Sequence, residues 1–340
     1  MSDSAVDGPF LPSEAVGAFA QLPGRFLTAS TTTTSGATVH VSDDGGLSWI
    51  EAGGEKAPVT SNALAAPAAV SQLHADRRPE DKGTVWAGLD PAALFRSEDR
   101  GDTFDLVSSL SELVGGPTST PGGCGLALNS VVTHPQRPER IVVAISAVGI
   151  YRSDDGGATW KACNDGIEVA ALSDPSPGSG RCVHKLAVDG VNPDALWAQT
   201  DSGIYRTVDA GEQWESVGQV GQPNGLPSGF GFPVVSHPAE ADTAYVVPLE
   251  SGTYRCTPGR CRVYRTTNGG TSWEPLSDGL PGTHAYLTVL RDAFTVGAEP
   301  PYPLVFGTES GHVFASQDSG DSWRLVTSYL PPILCVRVLE

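Results

Sequence analysis

Six copies of one short stretch constrain this chain more than any other feature. In order they are "VSDDGGLSW" (41–49), "RSEDRGDTF" (96–104), "RSDDGGATW" (152–160), "RTVDAGEQW" (206–214), "RTTNGGTSW" (265–273) and "ASQDSGDSW" (315–323). Each fits Ser/Thr-x-Asp/Asn-x-Gly-x-x-Trp/Phe. The acidic or amide positions are Asp44, Asp99, Asp155, Asp209, Asn268 and Asp318; the closing aromatics are Trp49, Phe104, Trp160, Trp214, Trp273 and Trp323. The aromatics recur at intervals of 55, 56, 54, 59 and 50 residues. A period of that size marks a repeat architecture, and 340 residues hold about six such units.

Each unit follows one plan. In the fourth, "CVHKLAVDG" (182–190), "ALWAQT" (195–200), "GIYRT" (203–207) and "EQWESV" (212–217) are short β-branched and aromatic runs separated by Gly, Pro, Asn and Asp. Four strands per unit without helical periodicity predict an all-β chain, a β-propeller of four-stranded blades spanning 1–340 as one domain. Six blades are expected, seven if residues 5–24 build more than one strand. "ILCVRV" (333–338) has no blade of its own, so it is expected to close the ring as an innermost strand of the N-terminal blade, beside strands at 25–30, 37–42 and 48–52.

The repetition also explains the stretch. A catalytic group need occur once, whereas this constellation occurs six times. Ser153 and Asp155 are expected to bond the backbone of a turn, Gly157 to take positive φ, and Trp160 to wedge between sheets. The turn then joins the third and fourth strands of each blade. Arg96, Arg152, Arg206 and Arg265 recur before four copies and read as structural for the same reason.

Composition narrows the partners. The formal charge is −18, with four lysines among 21 basic residues, which disfavours nucleic acid. No apolar run approaches the ~20 residues of a membrane span, and the start lacks a basic segment followed by an apolar one, so a cytoplasmic protein is expected. No cofactor and no metal site are expected. Six cysteines suit reduced thiols in that setting; Cys256–Cys261 and Cys163–Cys182 are the pairs that could bridge.

The motif Ser-x-Asp-x-Gly-x-Thr-Trp is similar to the Asp-box, or BNR repeat, of sialidases, sortilin-like receptors and photosystem-assembly-factor-like propellers. "GRCVHKLAVD", "GLPSGFGFPVVSHP", "AYVVPLE", "HAYLTVLRDA", "FGTESGHVFASQDSGDSW" and "LPPILCVRV" resemble a bacterial family of single-domain BNR propellers, over about residues 84–340. Members of that family carry the labels exo-α-sialidase or glycosyl hydrolase, and the resemblance implies a propeller of the broad WD40/YVTN-like kind. True sialidases carry an Arg-Ile-Pro motif, an arginine triad and a Tyr–Glu pair; no Arg-Ile-Pro occurs here.

Candidate functional residues gather where the long loops of the face opposite the Asp-boxes meet the innermost strands. Arg181, Cys182, His184 and Lys185 enter blade four; they read as an anion site or as a histidine hydrogen-bonded in the channel. His284, Tyr286, Arg291 and Asp292 read as a polar channel wall or as an Arg–Asp tie between blades. Asp201 and Glu309 occupy equivalent turns in blades four and six; with Tyr286 they are the catalytic candidates, either a hydrolytic carboxylate pair or plain hairpin turns. His184, His284 and Arg337 are expected to share one polar pocket at the channel and to draw a small anion. The expected role is binding of an anionic molecule, a glycan or a protein; a glycoside hydrolase is the rival.

Overall fold

Twenty-four strands fall into six antiparallel sheets of four in this computed structural model, which describes residues 15–32, 36–52, 69–76, 83–113, 126–168 and 181–339. Blade one holds β1 (Ala15–Leu22), β2 (Arg25–Thr32), β3 (Gly36–Ser42) and β4 (Ile50–Glu51). Blade two holds β5 (Ala69–Ala75), β6 (Val85–Asp90), β7 (Leu94–Ser97) and β8 (Asp105–Leu106), followed by a short helix α1 (Ser108–Leu113). Blade three holds β9 (Leu128–His134), β10 (Arg137–Ile145), β11 (Gly149–Ser153) and β12 (Lys161–Ala162). Blade four holds β13 (Val183–Val188), β14 (Leu196–Thr200), β15 (Ile204–Thr207) and β16 (Glu215–Ser216). Blade five holds β17 (Gly231–Ser236), β18 (Ala244–Pro248), β19 (Val263–Thr266) and β20 (Glu274–Leu276). Blade six holds β21 (Phe294–Val296), β22 (Leu304–Gly307), β23 (Val313–Ser316) and β24 (Arg324–Thr327). The chain is a six-bladed all-β propeller.

Burial along each strand reports its place in the stack. Every residue of β14 and β18 is buried, because blades stack face to face and cover both sides of a second strand. The outermost strands of blades one to four are two residues long and exposed, which leaves little edge for another chain to pair with. The core is divided the same way. Separate hydrophobic clusters fill the junctions of blades one–two, two–three, three–four, four–five and five–six.

The ring seam differs from expectation. The innermost strand of blade one is β1, paired with β2 through the tight turn at Pro23–Gly24, not residues 333–338. A local hairpin needs far less chain closure than a pairing across the whole sequence, so β1 occupies the place first. The C-terminal segment instead lies in the seam. It runs parallel to the approach to β21, with a bridge between Asp292 and Cys335, and Val336 N–H donates to Asp292 O at 2.9 Å. Its other side meets blades one and two: Arg337 and Val338 line a cavity of ≈ 100 Å³ with Phe19, Ala20 and Gln21 of blade one and Gln72 of blade two.

Candidate functional site

The Asp-box face is scaffold. In blade three, Ser153 Oγ donates to Asp155 Oδ1 at 2.8 Å, and Gly157 N–H donates to Ser153 Oγ at 2.8 Å. Thr159 N–H donates to Asp155 Oδ1 at 2.8 Å, and its hydroxyl to Oδ2 at 2.5 Å. The Thr159 hydroxyl and amide hold the Asp155 carboxyl down to about 2. Asp44, Asp99 and Asp318 repeat the full pattern; Asp209 and Asn268 keep its core. These oxygens are occupied by their own turns.

The box aromatics and arginines join blades. Trp214 Nε1 donates to Cys163 O at 3.0 Å and Trp273 Nε1 to Val217 O at 2.8 Å, each reaching the preceding blade. In the other direction, Arg152 reaches Ala210 O at 2.8 Å and Glu212 at 2.7 Å, Arg265 reaches Asp321 at 2.8 Å, and Arg206 binds Asp242. Arg96 instead lies on the Trp86 ring at 5.2 Å and pairs with Glu98. A second recurrent pair escaped the sequence reading. Asp165, Asn224 and Asp278, each before a glycine, accept the backbone N–H of the next box tryptophan at 2.8, 2.7 and 2.9 Å.

The opposite face carries the turns between second and third strands, the described connection 217–230 and the mouth of the channel; most of each of the connections at 109–125 and 163–182 lies outside the described residues. The hub of this face is Asp292, buried at 3% exposure just before β21. Lys185 Nζ of blade four lies 2.7 Å from Asp292 Oδ1, and Arg337 Nη2 of the C-terminal segment lies 2.9 Å from the same atom. Burial alone would raise this carboxyl; Lys185 and Arg337 outweigh it and bring it to about 2. Lys185 and Arg337 thus meet on one aspartate, whose single negative charge leaves the two cations under-neutralised.

His184 stands beside them as a buried neutral imidazole. Its Nδ1 lies 2.6 Å from Gly231 O, and a carbonyl only accepts, so Nδ1 carries the proton. The ring packs 5.5 Å from Phe230 and 5.0 Å from Phe232. Burial, then the charges of Arg291 and Arg255, lower its pKa to about 4, against the Gly231 bond. The imidazole is spent on structure at neutral pH.

Arg291 differs from Arg152, Arg206, Arg265 and Arg337, each of which has an acidic partner, and shares its want of one with Arg181, whose buried Nε has no hydrogen-bond partner. Arg291 is half-buried, and among the described residues its guanidinium makes no hydrogen bond or ion pair. Burial lowers its pKa, opposed by Asp292 and Asp90. Asp90, at the end of β6, has its carboxyl raised by burial and lowered by Arg291. Arg255, in the blade-five loop, lies 5.8 Å over the Phe232 ring. Blades two, four, five and six thus bring charge to one mouth. Asp90 and Arg255 were missed in the sequence, since "GLDPA" and "TYRCT" read as ordinary loops.

Other expected residues lie elsewhere. His284 and Tyr286 are exposed and do not sit on an innermost strand. Residues 284–290 form no ladder with β22, because their backbone is used by the blade-five loop. Ala285 N–H donates to Gly259 O at 3.2 Å, and Thr257 N–H donates to Leu287 O at 2.9 Å. His284 turns the chain at φ +53°, so it does not join His184 and Arg337. Arg181 bridges Val148 between blades three and four. Glu309 is exposed in its turn, its N–H donating to Thr288 O at 3.0 Å. Asp201 is half-buried, and burial pushes its carboxyl up to about 6 against its own turn amides, with no charged side chain contributing.

Cys182 is disulfide-bonded. Cys163, Cys256, Cys261 and Cys335 are free, so neither Cys163–Cys182 nor Cys256–Cys261 forms; Cys124 lies outside the described residues. Among the described residues no three His, Cys, Asp or Glu side chains are grouped to hold a metal ion.

Comparison with known proteins fits this geometry. The BNR/Asp-box repeat model matches residues 151–162. An oligoxyloglucan-reducing end-specific xyloglucanase of Emericella nidulans is 25% identical over 271 residues, 71% of this chain and 32% of that protein. A xyloglucanase of a Paenibacillus species is 27% identical over 266 residues, 70% of this chain and 24% of that protein. The chain thus spans a third or less of the length of these two curated relatives. Among solved structures, the GH74 xyloglucanase of Xanthomonas campestris superposes with a TM-score of 0.63 at 19% identity, over 92% of this chain and 47% of that one. YCF48 bound to D1 peptide gives 0.56 at 15% identity, over 95% and 86%. The last two show the shared propeller fold. The chain is thus a six-bladed β-propeller that carries an Asp-box turn in every blade, and the BNR/Asp-box repeat model matches the turn of blade three.

Proposed function

We propose that the protein binds a glycan on the face opposite its Asp-boxes, without hydrolysing it. The observation that carries this reading is the pair Tyr254 and Tyr286, exposed at 64% and 61%. They stand on two loops stitched together: Thr288 Oγ1 donates to Arg255 O at 2.5 Å, and Leu287 N–H donates to Thr257 Oγ1 at 3.1 Å. A held tyrosine offers an apolar face to a sugar ring and a hydroxyl to its polar rim. The carboxylates nearby do not read as a hydrolytic pair: Asp292 is engaged by two cations, and no second carboxylate acts on Asp201. The xyloglucanase relatives supply the first glycan to try. Calorimetry with xyloglucan oligosaccharides should show binding without release of reducing sugar. Tyr254→Ala and Tyr286→Ala should each weaken it about tenfold, as buried aromatic contacts do. Unchanged affinity in both variants overturns the reading.

A hydrolase is the second reading, favoured by one observation. A carboxyl raised to about 6 suits a general acid working near neutrality. If turnover of any glycan is found, Asp201→Asn should lower it by roughly a hundredfold or more. The disulfide at Cys182 weighs against the cytoplasmic expectation, since such bonds persist in oxidising compartments.

A further inference from the structure

The charges at the channel mouth do not balance. Asp292 neutralises one of the two cations that grip it. Arg291 adds a guanidinium with no polar partner among the described residues, and Arg255, whose Nε donates to Gly252 O at 3.1 Å, adds a further positive charge at the exposed rim. His184 is bonded through Nδ1 to Gly231 and its pKa is lowered to about 4, so it supplies no charge at neutral pH. Asp90 has no ion pair of its own, and it and Arg291 act on each other from beyond ion-pair distance. An enclosed arginine normally finds an anion in its own chain, as Arg152, Arg206 and Arg265 do here. In a protein of formal charge −18 there is no general shortage of carboxylates to provide one. At Arg291 the lack falls among the charges that four blades bring together, whereas the other unpartnered arginine, Arg181, lies at the junction of blades three and four.

We infer that Arg291 receives a carboxylate of the ligand. The guanidinium is planar and forked, so it holds a carboxylate through two parallel N–H···O bonds. Arg255, over Phe232, adds a second positive charge at the rim without using up Arg291. Asp90, within electrostatic reach of Arg291, accepts a hydroxyl or ammonium hydrogen from the same ligand. Two sources share this chemistry: an uronic acid within a glycan, and a free organic acid. The uronic acid is favoured because the stitched tyrosine loops adjoin the same mouth, and to that extent the inference rests on the glycan reading.

The test is titration of the whole protein and of Arg291→Gln with three probes: an oligogalacturonate, a neutral xyloglucan oligosaccharide, and citrate. The oligogalacturonate should bind the parent protein at least tenfold more tightly than the neutral sugar. Arg291→Gln should abolish that preference while its Tm stays equal or rises, because removing a charge without a partner breaks no bond. A variant whose Tm drops and whose affinities all fall together would show Arg291 to be part of the framework, which overturns the inference. Neutral sugar binding both forms as tightly as the acidic one overturns the carboxylate inference and leaves the glycan reading standing. Citrate binding that depends on Arg291, with no binding of either sugar, does the reverse.

Discussion

His184 shows how placement decides chemistry at the scale of one residue. In the sequence it is a histidine with a lysine beside it, as compatible with catalysis as with structure. In the fold Gly231 O and two phenylalanine rings fix it as a neutral donor. Its pKa falls from 6.5 to about 4, so between those values the unfolded chain binds a proton that the folded chain refuses. Stability carried by this site is therefore complete above pH 6.5 and is lost as pH falls towards 4, by about 3 kcal/mol. Asp201, raised to about 6, opposes this trend over much of the same range, so the variant comparison is needed. His184→Asn retains a donor for Gly231 and removes the titration. Urea unfolding at several pH values should give a flatter profile for the variant; parallel profiles would contradict the assignment. Arg291 was recognisable in the sequence as a charged channel residue, but not its want of a partner. That depends on Asp292 and Asp90 both acting on it from beyond ion-pair distance, an arrangement that only the closed ring sets.

At the scale of elements, the repeats made the blades legible because six copies of one turn average out local ambiguity. The boundaries of β2, β3 and β4 follow the expected runs closely, and every box joins third strand to fourth. The failures concern segments that look like strands but bond elsewhere. "HAYLT" alternates like an innermost strand, yet its backbone groups are taken by the blade-five loop. "ILCVRV" has the right composition, yet β1 already fills its place. The Asp-Gly docking turns were missed because two residues carry too little pattern. Gly166 demonstrates their importance: its φ is +91°, and a Cβ would sit 1.9 Å from Trp214 O. Gly221 has φ +78° and open space around it. Gly221→Ala should cost about 1 kcal/mol, the conformational penalty alone. Gly166→Ala should cost clearly more, at least about 2 kcal/mol, since the blade-three to blade-four contact must shift. Denaturation midpoints will separate them, and equal losses would refute the docking role.

For the whole molecule, the two faces of the ring do different work. The Asp-box face spends its carboxylates and arginines on its own turns and on neighbouring blades. The other face holds an aspartate under two cations, an arginine with none of the usual partners, a carboxyl raised to about 6 and two exposed tyrosines. The C-terminal segment belongs to this arrangement, since Arg337 brings the seam of the ring to the same aspartate that Lys185 reaches. The proposed binding therefore belongs at the mouth and the adjoining loops. Hydrogen–deuterium exchange with and without a bound oligosaccharide tests that claim most directly. Protection should appear in 201–203, 229–232, 251–261 and 284–292 and leave the Asp-box turns at 153–160, 207–214 and 266–273 unchanged. Protection centred on those turns, with the mouth unaltered, would contradict it.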